Sequence, residues 1–381
     1  MIPYGKQNID QTDIDAVIGV LESDFLTQGP VIPEFERVVA SQVGAQYAVS
    51  SNSATSSLHM ACLALGLKPG DEVWTSPITF VASANCAHYC GATVDFVDID
   101  PDTYNLSTEA LEEKLKNHKA NNKPLPKIVI PVHLSGLSCD MKAIKALSET
   151  YGFKIIEDAS HAIGAFYQDT PVGCCQYSDI TVFSFHPVKI ITTGEGGMAV
   201  TNEKLLVDKM ALLRSHGVTR DISLMENPSH GDWYYEQIDL GFNYRMTDIQ
   251  AALGVSQIKR LINMIEKRQE IAELYNTELS KLPIKLPNQP EHNQSSRHLY
   301  IIQVESDQHN ELFRYLKLQG VGVNLHYIPV YKQPYFIKKY GEKALPNAEL
   351  YYKKSISIPV YFDLKAEDQK TIIKVLNSYY E

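Results

Sequence analysis

Ile180-Thr181-Val182-Phe183-Ser184-Phe185-His186-Pro187-Val188-Lys189-Ile190-Ile191-Thr192-Thr193-Gly194-Glu195-Gly196-Gly197-Met198-Ala199-Val200-Thr201 is the stretch that decides the fold. Ile180–Phe185 is an apolar, β-prone run, and Met198–Thr201 is a second. The segment between them is too short for a helix of any length, so the pattern is strand, loop, strand. Gly194, Gly196 and Gly197 allow tight turns and a close approach of backbone to a ligand. One lysine, Lys189, stands in the loop, between Pro187 and the glycines. A lysine held between two buried strands is placed to form a Schiff base with a carbonyl cofactor. Taken alone, a lysine is also an ordinary solvated surface residue.

Upstream, strands are expected at 47–50, 72–75, 93–97, 127–132 and 154–157. Helical patterns separate them at 53–65, 80–90, 108–119 and 141–151. With the two strands around Lys189 this makes seven strands in an α/β domain with a mostly parallel sheet. Two helices precede the alternation. One covers 13–23, with Ile14, Val17, Ile18 and Leu21 on one face, and the other covers 33–43. Downstream, 204–215 reads as a helix, 218–236 as a long polar loop, and 246–281 as one long helix or two in series. Residues 282–296 are rich in Pro, Asn and Gln and read as a connector. A strand (299–304), a helix (308–319), another strand (356–360) and a terminal helix (366–380) then form a smaller α+β domain. The expected division is a large domain at 12–250 and a small one at 251–381 joined by residues 1–11.

The 381 residues carry a formal net charge of −10 and no Lys/Arg-rich run, which argues against nucleic acid and anionic membranes as partners. No apolar run is long enough for a membrane span, and the first residues form no apolar signal region, so the expected location is the cytoplasm. Six cysteines without a C-x-x-C pair read as reduced, mostly buried small hydrophobes. Twelve histidines show no metal-ligand spacing, so no catalytic metal is expected.

Ligands in open α/β sheets bind beyond the carboxyl ends of the strands, and four such ends carry suggestive residues. Ser53-Ala54-Thr55-Ser56-Ser57 lies between a strand and a helix; it is a phosphate-binding helix N-terminus or an ordinary cap. Asp158, in Glu157-Asp158-Ala159-Ser160-His161, can hold a pyridinium N–H or serve a turn. Phe80 can stack on an aromatic cofactor or fill the core. Ser184 precedes Lys189 on its strand and can direct its hydroxyl at a phosphate. His186 is read as turned toward the core. A dinucleotide-binding oxidoreductase would need G-x-G-x-x-G after the first strand, where this chain has Ser51-Asn52-Ser53-Ala54-Thr55.

The run Phe183–Lys189 followed by Ile191–Gly197 resembles the cofactor-lysine segment of the DegT/DnrJ/EryC1/StrS sugar aminotransferases. The likeness extends from about Tyr4 to the C-terminus. It implies an aspartate-aminotransferase-like fold (pyridoxal-phosphate fold type I) and pyridoxal 5'-phosphate on Lys189. It makes Ala54, Thr55 and Ser56 the phosphate-gripping turn, with Ala54 where the family usually has Gly. Asp158 becomes the partner of the ring nitrogen, Phe80 the stacking residue and Ser184 a phosphate ligand. His161, where many members carry Gln, becomes a cofactor neighbour. Asn243 would close the phosphate site of a neighbouring subunit in a homodimer with shared active sites. Tyr4, Asp24, Phe25, Leu26 and Thr27, with Asn324, Leu325, His326 and Tyr327, would line the sugar-nucleotide pocket. Some relatives replace the lysine by histidine and act as dehydratases; retention of Lys189 points to transamination. The wording is most like the branch that moves the amino group of L-glutamate to C4 of a UDP-linked 4-keto-6-deoxy-N-acetylhexosamine (UDP-2-acetamido-2,6-dideoxy-β-L-arabino-hexos-4-ulose), a step of pseudaminic acid biosynthesis. The alternatives are another UDP- or dTDP-4-keto-6-deoxy sugar, or a non-catalytic regulator that binds the same cofactor.

Overall fold

A computed structural model describes residues 1–381. The seven expected strands form one sheet: β1 (Tyr47–Ser51), β2 (Glu72–Thr75), β3 (Thr93–Phe96), β4 (Ile128–Ile130), β5 (Lys154–Asp158), β6 (Ile180–Ser184) and β7 (Gly197–Thr201). Their order is β1-β7-β6-β5-β4-β2-β3. Only β7 runs against its neighbours, because the loop that joins it to β6 is too short for a crossover. Strand residues alternate between faces. Ile180 and Val182 enter one apolar cluster, and Phe183 and Phe185 enter another on the far side of the sheet. Both phenylalanines are fully buried, and each contributes about 2–3 kcal/mol by leaving water.

The register brings the strand ends to one edge. Ser51 of β1 pairs with Gly197 of β7, and Gly197 pairs with Ser184 of β6. Val182 of β6 lies beside Asp158 of β5. Helix α1 (Gln11–Leu21) and helix α2 (Val31–Val43) precede the sheet. Helix α3 (Ala54–Ala64) leaves the edge directly after β1, and α4 (Ala82–Tyr89) follows β2.

Three local expectations change. The apolar stripe of α1 is not its buried face: Ile14, Ile18 and Leu21 are exposed, while Asp13 and Val20 are buried. The cause is polar. Asp13 accepts from Gln257 Nε2 (2.6 Å) and Arg260 Nη2 (2.5 Å), and these contacts turn the helix inward on its acidic side. The segment after Ser215 is not a simple loop. Val218–Thr219 pairs antiparallel with Glu236–Gln237, so the polar run between them forms an arm. His186 is exposed rather than turned to the core.

The pattern at 246–281 resolves as two helices in series, Asp248–Ile258 and Leu261–Glu278. Its second helix starts in the cluster that holds Phe183 and ends in a separate one with Tyr300, Ile302, Ile356 and Ile358. Tyr300–Gln303 and Ser355–Ile358 form an antiparallel pair there. Residues 330–351 return to the large sheet: Val330, Tyr331, Phe336 and Tyr351 pack in the cluster that holds Val182. No helix is long and apolar enough to cross a membrane.

Candidate active site

The site forms where the β1, β5 and β6 ends meet the start of α3. Ser53 caps α3, its hydroxyl accepting from the amide of Ser56 (3.2 Å). The Ser56 hydroxyl is also committed, donating to Asn52 Oδ1 at 2.6 Å. The amides of Ala54 and Thr55 have no acceptor in the chain. A helix start with free amides is an anion site. Gly197 explains how the strands come so close to it. A Cβ on Gly197 would lie 2.4 Å from the Ala54 amide nitrogen and 2.5 Å from the Ser53 carbonyl. Only glycine fits, and through it the Ser184 end of β6 is carried to the α3 start.

Asp158 is buried and held by hydroxyls. Ser83 Oγ donates to Oδ2 (2.6 Å), and the hydroxyl and amide of Ser160 donate to Oδ1 (2.6 and 3.1 Å). Ser83 lies 2.7 Å from Thr79 Oγ1; since Ser83 donates to Asp158, Thr79 donates to Ser83. Behind Asp158, the amide of Cys139 donates to His133 Nδ1, so His133 Nε2–H donates to buried Glu157 (2.7 Å). The amide of His133 in turn donates to the Asp158 carbonyl, which fixes the strand end.

Lys189 is half-buried, its amide bonded to the His186 carbonyl in a turn. Burial pushes its amine down to about 8, with the charge of Asp158 pulling the other way. His161, His298 and His326 feel the Lys189 charge. Burial first, and that charge second, pull His326 down to about 4. Burial also holds His161 and His298 well below the ordinary imidazole range. The rings of His161 and His298 are 4.3 Å apart, and His298 Nδ1 is buried with no partner. His161 Nε2 is 3.1 Å from the Tyr327 hydroxyl, and the Tyr327 ring lies 6.3 Å from that of Phe80. Phe80 is 61% exposed, so its ring stands open rather than filling the core. Tyr4 packs on His326 at 5.3 Å, and Asn324 Nδ2 lies 3.4 Å from His326 Nε2. Leu325 is half-buried between them in sequence.

The other expected pocket residues stand apart from this cluster. Asp24 to Thr27 are exposed; Asp24 and Phe25 line an open cleft of about 860 Å³ between α1, α2 and the helix from Asp248. Leu26 accepts from the Asp248 amide, and Thr27 bridges Thr247. Asn243 is exposed, and its side chain makes no hydrogen bond within the chain. Two residues escape the sequence reading. Ser83 looks like any small helix residue, and His298 has no motif around it.

These residues suit pyridoxal phosphate. Free amides at Ala54 and Thr55 match an anionic phosphate, and Asp158 has a lone pair left on Oδ2 for a ring N–H. Phe80 offers an open aromatic face, and Lys189 has an amine that is easily made neutral.

Such a sheet edge, with a lysine turn facing a buried acid, defines an aminotransferase of the aspartate-aminotransferase-like fold. The chain belongs to the DegT/DnrJ/EryC1/StrS aminotransferase family, whose sequence profile matches residues 7–377. It is 40% identical, over 100% of its length and 98% of the relative's, to the UDP-4-amino-4,6-dideoxy-N-acetyl-beta-L-altrosamine transaminase of Campylobacter jejuni subsp. jejuni serotype O:2. Among solved structures it is similar to Helicobacter pylori PseC, an aminotransferase involved in the biosynthesis of pseudoaminic acid. That match has a TM-score of 0.91 and 30% identity, covering 100% of this chain and 99% of the other. The PLP-form of Spr1654 from Streptococcus pneumoniae matches at TM-score 0.88 and 28% identity, covering 99% and 98% of the two chains. The protein is therefore an enzyme of the sugar aminotransferase family.

Proposed function

We propose that the enzyme uses pyridoxal 5'-phosphate to move the amino group of L-glutamate to C4 of a UDP-linked 4-keto-6-deoxy-N-acetylhexosamine, in pseudaminic acid biosynthesis. The observation that carries the reading is Lys189, an amine drawn down to about 8 by burial in a turn opposite Asp158. The likeness to the Campylobacter transaminase supports the choice of sugar.

Pyridoxal phosphate, when bound, supplies an electron sink for the substrate carbanion. The chain's residues do the rest. The amides of Ala54 and Thr55 and the hydroxyls of Thr55 and Ser184 would hold the phosphate. Asp158, fixed by Ser83 and Ser160, would keep the proton on the ring nitrogen. Phe80 would cover one ring face, and His161 would be its neighbour. Lys189 Nζ would take the proton from the α-carbon of glutamate in the first half-reaction and deliver a proton to C4 of the sugar in the second, which needs the neutral amine that burial favours. Tyr4 and Asn324 to Tyr327 bind the sugar nucleotide. Asn243 and residues 24–27, which lie apart in one chain, serve the site from the partner of a homodimer in the cytoplasm.

The test is covalent. Borohydride reduction of the cofactor-loaded enzyme followed by peptide mapping should label Lys189, and Lys189→Ala should lose both label and turnover. A label on another lysine, or on none, ends the reading. Incubation with candidate 4-keto sugars and glutamate, with the C4 configuration of the product read by NMR, identifies the sugar.

A further inference from the structure

The bond from His161 to Tyr327 has a direction that the backbone fixes. The amide N–H of Ser135 donates to His161 Nδ1 at 3.3 Å. Nδ1 is therefore the acceptor, and the ring proton sits on Nε2. Nε2 faces the Tyr327 hydroxyl at 3.1 Å, so the imidazole donates and the phenol oxygen accepts. The phenolic hydrogen is left over, and it has no acceptor in the chain.

This direction is built in. Ser135 takes a left-handed conformation, φ 58°, that a serine rarely adopts, and this turns its amide toward His161. Gly136 follows at φ 95°; a Cβ there would lie 2.2 Å from Ser296 Oγ and 2.9 Å from the His161 carbonyl. Ser296 Oγ donates to that same carbonyl at 2.7 Å, and its amide donates to the Gly136 carbonyl at 3.0 Å. The His161 ring is thus clamped through its backbone, its Nδ1 and its packing on His298. On the other side, Tyr327 lies between His161 and the open ring of Phe80.

We propose that Tyr327 donates a hydrogen bond to the oxygen on the substrate carbon that exchanges oxygen for nitrogen, with His161 and the Ser135 amide as the residues that position it. The proposal rests on the aminotransferase reading given above. A ketone carbonyl is attacked more easily when a fixed donor meets its oxygen, since negative charge grows there as the carbon accepts the amine. The chain Ser135 N–H to His161, His161 N–H to Tyr327, and Tyr327 O–H to the substrate supplies such a donor. No proton needs to be transferred along it. The donor class is specific: it serves a substrate that brings a carbonyl oxygen to the reacting carbon. Glutamate brings an amine there, and an oxygen reaches its carbon only with the water that releases 2-oxoglutarate, after the proton has been removed.

The two half-reactions separate the proposal from a purely structural role. Each is followed by the cofactor's absorbance in single turnover, one with glutamate, read at the loss of the visible band that accompanies proton removal and precedes the addition of water, and the other with the UDP-linked 4-keto-6-deoxy-N-acetylhexosamine. Tyr327→Phe keeps the ring and removes the donor. It should slow the keto-sugar half-reaction about 100-fold, the usual scale for one donor at a developing oxyanion, and the glutamate half-reaction by less than about tenfold. Equal slowing of both, or of neither, overturns the proposal. Borohydride labelling of Lys189 runs alongside. A label in the wild type that is retained in the variant shows that the cofactor site stands, so the failure then belongs to this proposal alone. No label in the wild type overturns the functional reading, and this inference with it. Should Tyr327→Phe lose the label, His161→Gln and His161→Phe decide. The glutamine amide can still donate to Tyr327 and should keep most of the keto-sugar rate, whereas phenylalanine should lose at least tenfold. Equal rates in that pair overturn the proposal.

Discussion

Replacing Lys189 by methionine should stabilise the cofactor-free protein, although it removes the residue on which the chemistry depends. The buried amine titrates at about 8 instead of the ordinary 10.5. At about 1.4 kcal/mol for each pH unit of difference, the fold loses about 3 kcal/mol at pH 7 by holding that ammonium out of water. Lys189 keeps some contact with solvent, so about 2 kcal/mol is the safer figure. The sign follows from the direction of the shift. A lysine whose folded value lies below its unfolded one destabilises fully below the folded value, about 8, and ceases to do so above about 10.5. The stabilisation in Lys189→Met should therefore be largest at pH 7 and fall below about 1 kcal/mol at pH 10. In a melting experiment this is a rise of about 2–3 °C at pH 7, shrinking to about 1 °C at pH 10. Methionine also changes packing, but that contribution does not depend on pH. A gain of the same size at both pH values would refute the buried-ammonium argument, and so would no gain at pH 7.

Other expectations follow from single contacts. Gly197→Ala should reduce pyridoxal-phosphate affinity at least tenfold in equilibrium dialysis, because the new methyl group collides with the Ser53–Ala54 peptide and displaces the anion-binding amides. Ser83→Ala removes one of the hydroxyls on Asp158 and leaves Oδ2 without that donor. It should cost about 1–3 kcal/mol, read as a five- to hundredfold loss of cofactor affinity, while Ser83→Thr should recover part of it. Acylation of Lys189 in the cofactor-free protein by acetic anhydride, read by peptide mass, should be half-maximal near pH 8; a midpoint above 10 would show an ordinary exposed lysine. In the proposed homodimer, truncating the Trp233 and Tyr235 side chains of the arm, both exposed in one chain, should shift sedimentation toward monomer. An unchanged sedimentation coefficient would remove the arm from the interface.

The sheet was legible because its central strands, among them Ile128–Ile130, Ile180–Ser184 and Gly197–Thr201, are buried on both faces and read as apolar runs, with helices of ordinary length between the strands. The lysine turn was legible because three glycines in so short a space have few structural uses, and Gly197 confirms one of them through its contact with the α3 start. The α1 face was not legible. Its apolar stripe looks like a core stripe, and it is the contacts of Asp13 with Gln257 and Arg260, 244 and 247 residues away, that turn it outward. Ser83 was hidden for a similar reason: a small hydroxyl on a buried helix face shows no sign that it serves a carboxyl 75 residues on. The arm at 218–237 was missed because two-residue strands in a polar run carry no usable period. His161 and Tyr327 were singled out separately, yet nothing in the chain order joins residues 166 apart; their bond is a product of the tertiary fold.

The imidazoles around Lys189 bear on which group can move a proton. A cluster of His161, His298 and His326 invites the idea of a histidine base. Yet burial holds the first two well below the ordinary range, and the third lies near 4. Burial, first among its causes, pushes the Tyr327 phenol upward, and the charge of Asp158 adds to it. Near neutral pH these groups keep fixed protonation states, so they can orient and donate without competing for protons. Lys189 alone among them changes state close to pH 8. Burial thus does two things with one physical cause: it silences the histidines and it brings the lysine into range. A substitution that opened this pocket to water would return His161 toward its ordinary range and Lys189 toward 10.5. Proton transfer would weaken even with every side chain still present.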